Sequence, residues 1–297
     1  MSTMHPTQHP IDDRLVRRLV AGQFPQWAGL PVRRFPSGGT VNAMYRLGED
    51  LVVRLPLVSG GAEDLRRERD WLPRLASRLP AAIPEVLGAG VPAEGYPWPW
   101  SVHRWRAGEH PQAGALAEPL PLAEDLAGFV AAMRSITLPG APRAYRGGPL
   151  ATLDASTRAA IEALRGIPGE RVDCVAVSAV WDDALRAPGW AGAPVWLHAD
   201  LMPGNLLVAG GRLTAVIDFG CLGVGDPACD LFPAWNLLPA DARKVFREAL
   251  GVDDATWRRG RARTLSQAVI ALPYYRTTNP AMADNARHVI REVLAEG

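Results

Sequence analysis

Residues 196–220 read WLHADLMPGNLLVAGGRLTAVIDFG. Two apolar runs, 205–209 and 212–218, flank Gly210-Gly211, and a glycine pair in that setting is a strong hairpin signal. Folding the chain about the pair sets Val208 against Leu213 and brings Asn205 near Val216. Asn205 and Asp218 then fall at one end of the hairpin, with Asp200 five residues upstream of Asn205. Taken singly, Asp200 caps a turn, Asn205 opens a strand and Asp218 closes one. Taken together, they set two carboxylates and an amide oxygen beside apolar strands. That group suits Mg²⁺, a hard cation that keeps several waters and binds nucleotide phosphates. A carboxylate left clear of the metal can accept a hydroxyl proton.

Upstream, the apolar runs PVRRFP, VNAMYRL and LVVRLPL alternate with Ser37-Gly38-Gly39-Thr40 and Gly48-Glu49-Asp50, which predicts an antiparallel meander. A helix is expected before it, over 11–22, and another after it, over about 62–78. Strand-like IPEVLGAG and WPWSVHRW follow. From about residue 120 the pattern turns helical, with candidates at 122–137, 154–165, 174–186, 239–250, 254–272 and 280–295. Strands first and helices later predict an α+β chain in two parts, 1–103 and 104–297.

Period-2 alternation in 51–57 puts Leu51, Val53 and Leu55 on one face of a strand and Val52 and Arg54 on the other. In the next helix Leu65, Glu68, Leu72, Leu75 and Leu79 form one stripe, so Glu68 sits among leucines. A carboxylate in an apolar stripe needs a cationic partner, and Arg54 is the economical choice.

The bulk properties exclude several classes. The 297 residues exceed one typical core. A net charge of +1 argues against a nucleic-acid binder. Three cysteines without a CxxC pair read as reduced cytoplasmic thiols. MSTMHPTQHP has no apolar core of the kind a secretory signal carries, and no run approaches the length of a membrane span. Basic residues are nearly all arginine, Lys244 being the one lysine.

His198-Ala199-Asp200 with Asn205, followed by Ile217-Asp218-Phe219-Gly220, resembles the catalytic and metal loops of kinases. The small residue at 199 and the run Gly225-Asp226-Pro227-Ala228-Cys229-Asp230-Leu231 are similar to the aminoglycoside phosphotransferase family rather than to protein kinases. The resemblance implies a bilobal protein-kinase-like fold. A small N-terminal antiparallel sheet lobe with one main helix would bind nucleotide, and a larger, mostly helical C-terminal lobe would hold the catalytic and metal loops and the substrate pocket. It implies Asp200 as catalytic base, Asn205 and Asp218 as Mg²⁺ ligands, and His198 and Asp230 as props of the loop. Arg54 and Glu68 resemble the pair that grips the α- and β-phosphates, with arginine where a lysine is expected. Ser37, Gly38, Gly39 and Thr40 lie where a phosphate-covering loop would lie, although two glycines between strands also make an ordinary turn. Adenine is expected on backbone groups near Arg104 and Trp105.

The implied reaction moves the γ-phosphoryl group of ATP, or of GTP, to a hydroxyl of a small molecule, an aminoglycoside or related cationic antibiotic. A metabolite kinase for a choline- or homoserine-like acceptor and a non-catalytic nucleotide binder are the alternatives. A monomer or homodimer without nucleic-acid or membrane partners is expected. A cationic acceptor would favour an acidic cleft, for which Glu109, Asp226, Asp230, Asp241, Glu248, Asp253 and Asp254 are candidates.

Overall fold

The computed structural model describes residues 9–35 and 41–296. The chain divides into two compact units, Met1–Glu109 with Thr214–Gly220, and His110–Leu213 with Cys221–Gly297.

In the first unit, α1 (Asp13–Gln23) precedes β1 (Val32–Phe35), β2 (Asn42–Leu47) and β3 (Leu51–Pro56). These are followed by α2 (Gly61–Leu75), β4 (Val86–Gly90) and β5 (Trp100–Arg104). The five strands form one antiparallel sheet in the order β1-β2-β3-β5-β4. The Asp12 side chain caps α1 by accepting from the Leu15 N–H at 2.8 Å. The helix buries Leu15, Val16, Leu19 and Val20 against the sheet face that carries Leu51, Val53 and Leu55. Arg54 lies on the other face, as the alternation predicts. There α2 buries Leu65, Glu68, Leu72 and Leu75. The last residues of the expected 62–78 helix tighten into a 3₁₀ turn, Ala76–Arg78. The segment 214–220 joins this unit through Ala82, whose N–H donates to Thr214 O at 3.1 Å and whose carbonyl accepts from Val216 N at 2.9 Å.

The second unit begins with α3 (Pro119–Ser135), α4 (Asp154–Arg165) and α5 (Cys174–Arg186). Then come β6 (Val195–Leu197), the hairpin strand β7 (Leu206–Ala209), the first two residues of its partner β8 (Arg212–Val216), and β9 (Gly223–Gly225). It closes with α6 (Pro233–Asn236), α7 (Ala240–Leu250), α8 (Asp254–Tyr275) and α9 (Pro280–Ala295). The glycine pair turns the hairpin with φ of 56° and 75°, a conformation that glycine adopts without steric cost. The α8 helix is the spine, burying Trp257, Leu265, Val269 and Leu272.

One part of this layout differs from expectation. The hairpin is not the only strand structure in the helical half, because β6 and β9 pair antiparallel. Each has three residues, too few to show an alternation. The backbone of 142–147 runs along β9: Val224 N donates to Pro142 O at 2.8 Å, Ala144 N to Val224 O at 3.1 Å and Asp226 N to Gly147 O at 3.1 Å. Glycine is required for that approach. A Cβ at Gly223 would lie 2.4 Å from Ala144 N, and one at Gly225 would lie 2.5 Å from Gly147 O.

Candidate active site

The first unit holds a buried cation between two carboxylates. Arg54 Nη1 donates to both Glu68 oxygens, at 2.9 and 2.7 Å, and Nη2 donates to Asp218 Oδ1 at 3.2 Å. The Arg54 and Glu68 side chains are 7% and 0% exposed. Burial alone would push the guanidinium down, but Glu68 and then Asp218 outweigh it and hold it above its ordinary value. Glu68 Oε1 also accepts from the Phe219 N–H at 2.8 Å, which ties α2 to the 217–220 segment. Asp218 adopts φ 64°, a left-handed conformation that is costly for a residue with a Cβ. Gly220 beside it has no room for a side chain, since a Cβ would sit 3.0 Å from Asp64 Cγ. Arg67 Nη1 donates to Gly220 O at 2.5 Å and anchors the end of the segment. Burial, opposed by Arg67, pushes the Asp64 carboxyl up, and the nearby charge of Asp218 adds to the rise.

In the second unit the loop after β6 is held by a carboxylate from below. Asp230 is fully buried and accepts from the backbone N–H groups of His198 at 2.8 Å and Ala199 at 2.7 Å. Burial pushes its carboxyl up, while His198 and the two amides oppose that rise. Ala199 takes φ 65°, which turns the chain so that Asp200 follows at once. The Asp200 N–H donates to Nδ1 of the buried His198 at 3.2 Å. Asp200 is held at both oxygens: Arg146 Nη1 donates to Oδ1 at 2.8 Å and Asn205 Nδ2 to Oδ2 at 3.1 Å. Asn205 Nδ2 also donates to the Asp200 carbonyl at 2.8 Å.

These bonds decide which atoms remain for a cation. With Nδ2 spent on Asp200, Asn205 keeps its Oδ1, and Asp218 keeps Oδ2. Neither oxygen accepts a hydrogen bond among the described residues. Each is a hard oxygen donor of the type Mg²⁺ takes alongside phosphate and water.

Other expected site residues fare differently. Ser37, Gly38, Gly39 and Thr40 lie outside the described residues. The Arg104 N–H donates to Glu85 O at 3.0 Å and the Trp105 N–H to Asp50 O at 2.7 Å, so both amides already have partners. The Arg104 guanidinium pairs with Glu85 at 2.6 Å. The Trp105 ring packs edge-on to Phe35 at 5.1 Å, under Arg46 at 4.1 Å. Most of the acidic candidates are structural. Asp226 is buried against Arg259 at 3.0 Å and Arg263 at 3.4 Å, and Asp253 caps α8 on the Thr256 N–H at 2.6 Å. Asp254 pairs with Arg247, and Glu248 with Lys244 at 3.8 Å.

Arg146 and its neighbour Gln267 were not anticipated. With its amide oxygen turned toward the guanidinium, Gln267 accepts from Arg146 Nη2 at 3.1 Å and Nε at 3.2 Å. Arg146 lies 54 residues before Asp200, in a loop without periodicity, and nothing in the sequence pattern marks it.

Residues 32–263 match the model of the phosphotransferase enzyme family, APH. No curated protein matches the chain in sequence. Among solved structures, APH(2″)-IIIa with GDP and kanamycin superposes with a TM-score of 0.73 at 20% identity, over 95% of this chain and 99% of that one. APH(2″)-IIa with streptomycin and ATP gives 0.61 at 17% identity, over 95% and 97%. Macrolide 2′-phosphotransferase MphH from Brachybacterium faecium gives 0.62 at 21% identity, over 95% and 98%. The fold expected from the kinase-like loops is thus the observed one, and the chain belongs to the phosphotransferase enzyme family.

Proposed function

We propose that the chain transfers the γ-phosphoryl group of ATP or GTP to a hydroxyl of an antibiotic-like small molecule, its structural relatives including aminoglycoside and macrolide phosphotransferases. The observation that carries this reading is the single Arg54 guanidinium bonded at once to Glu68 and Asp218. A buried cation fixed by one carboxylate and touching a second suits the phosphates of a nucleotide.

In this reading Arg54 positions the phosphates, and Glu68 fixes Arg54. Arginine keeps the charge of the expected lysine and adds a planar fork of donors. Asp218 Oδ2 and Asn205 Oδ1 would each offer an oxygen to Mg²⁺, which would neutralise phosphate charge when bound. Asp200 orients the acceptor hydroxyl and receives its proton late, in a loose transition state. Because the Arg104 and Trp105 amides are committed, the purine edge is assigned to the backbone just beyond them. Nucleotide binding by 1–103, acceptor binding by 104–297 and a cytoplasmic location belong to the same proposal. Among the described residues no helix is long and apolar enough to cross a membrane.

The test is Mg²⁺-dependent ADP release from ATP with pooled aminoglycosides, peptide antibiotics, macrolides and amino alcohols, with products checked by mass for an added phosphate. The expected result is a phosphorylated acceptor whose formation falls about 10²–10⁴-fold in Asp200→Asn. ATP binding without any product would move the chain to the non-catalytic reading. A hit confined to amino alcohols would make it a metabolite kinase. No nucleotide binding at all would refute the proposal.

A further inference from the structure

The donors of Arg146 are already spoken for. Nη1 reaches Asp200 Oδ1 at 2.8 Å, Cys221 Sγ at 3.2 Å and Ala199 O at 3.4 Å. Nε and Nη2 face the Gln267 amide oxygen. Among the described residues its one ion-pair partner is Asp200. The loop that carries it is also fixed, by its backbone bonds along β9 and by the missing side chains at Gly223 and Gly225. The Arg146 carbonyl in turn accepts from Arg263 Nη1 at 2.9 Å. Such an arrangement locks a carboxylate rotamer from behind.

The same contact has an electrostatic consequence. A carboxylate that would attract ammonium groups is matched, charge for charge, 2.8 Å away. Beyond Gln267 the next positions on that face of α8 are Ile270 and Tyr274, spaced i+3 and i+7. Both are exposed, at 39% and 58%, and neither carries charge. Tyr145, beside Arg146, is exposed at 76%. Two of the acidic candidates, Asp226 and Asp230, are buried, the first against Arg259 and the second on the backbone N–H groups of His198 and Ala199.

We propose that Arg146 is a positioning and specificity residue: it orients Asp200 and cancels its charge, so the preferred acceptor is an alcohol with an apolar body and little positive charge. This rests on the reading of Asp200 as the acceptor-side base. Arg146 acts through Asp200 and touches no reacting atom.

Two measurements on the full chain test it. With whichever acceptor the wild type phosphorylates, Arg146→Met is expected to lower kcat by about 10²-fold, the scale of a misplaced catalytic group, with KM for ATP unchanged. Arg146→Lys, which keeps the charge but not the fork, should fall between. Adding Arg146→Met to Asp200→Asn should cost nothing further, whereas a general structural role would cost the same in both backgrounds. The second measurement needs no turnover. Calorimetry with kanamycin, a polycation, should show binding on the order of tenfold tighter to Arg146→Met than to wild type, with no gain in Arg146→Lys. Erythromycin, with a single amine, should bind all three alike. Equal kanamycin binding by wild type and Arg146→Met overturns the charge claim. Additive losses in the Asp200→Asn background overturn the positioning claim. Normal turnover by Asp200→Asn alone would instead refute the base assignment, and the kanamycin result would still judge the charge.

Discussion

Two arginine–carboxylate pairs, one in each unit, have the same chemistry and opposite logic. In Arg54–Glu68 the side chains are 7% and 0% exposed, and in the proposed reading the arginine faces the function and the carboxylate serves it. In Arg146–Asp200 they are 32% and 22% exposed, and in the proposed reading the carboxylate faces the function and the arginine serves it. Burial sets the consequence. A buried pair is costly to break because the survivor is left as an uncompensated charge. A half-open pair lets water take the place of the missing partner, so its loss shows in chemistry more than in stability.

The largest stability effect is therefore expected from Glu68→Ala, about 3–5 kcal/mol in chemical denaturation, because buried Arg54 loses both Glu68 bonds and keeps only the longer Asp218 contact. The double change Arg54→Met with Glu68→Leu should recover most of that stability while nucleotide binding stays lost. Equal instability of the single and double variants would mean the pair is not the buried, mutually dependent unit described here. Next comes Gly225→Ala, whose methyl group meets the Gly147 backbone. It should cost about 1–3 kcal/mol by overpacking and lower turnover with it, since the Arg146 loop must move. A fully active, fully stable variant would show that the seating of that loop on β9 is irrelevant. Arg146→Met should cost under about 1 kcal/mol despite its kinetic effect, and a loss as large as that of Glu68→Ala would erase the contrast between the pairs.

The smallest effect is a pH slope carried chiefly by His103 of the first unit. Burial, and then the Arg54 charge, holds the His103 imidazole well below its ordinary value of 6.5. Its Nε2 meets Ser101 Oγ at 2.7 Å, while the buried Nδ1 has no hydrogen-bond partner among the described residues. The folded chain thus binds fewer protons than the unfolded chain below pH 6.5. Its contribution to stability is complete above that pH and is lost as the pH falls. His103→Leu should flatten the slope between about pH 6.5 and 5, leaving a smaller part from His288, which burial also pushes down. An unchanged slope would assign the effect to other groups.

The contrast between the pairs also marks what the sequence could say. Arg54 and Glu68 each fall in a periodic pattern, one on a strand of period two and one in a leucine stripe, so their meeting was legible. The Asp200–Asn205 contact was legible in their five-residue spacing, and the long helices as runs between proline and glycine clusters. Arg146 was not, because backbone bonds to a three-residue strand place it, and no periodicity accompanies such a strand. The acidic residues of the second half looked available because composition shows charges without their partners. Asp226 faces two arginines of α8 that lie 33 and 37 residues away. The stretch at Arg104 and Trp105 was uncertain for a related reason: amides carry no side-chain signal, and these two already bond Glu85 and Asp50.

The central claim is a division of labour, with Asp218 serving Mg²⁺ and nucleotide and Asp200 serving the acceptor. The most direct test measures Mg²⁺-dependent ATP binding and phosphotransfer side by side in Asp200→Asn and Asp218→Asn. Asp200→Asn should bind Mg²⁺·ATP as the wild type does and lose about 10²–10⁴-fold in kcat, while Asp218→Asn should lose the Mg²⁺-dependent binding itself. Wild-type turnover by Asp200→Asn, or wild-type Mg²⁺·ATP binding by Asp218→Asn, would contradict the account.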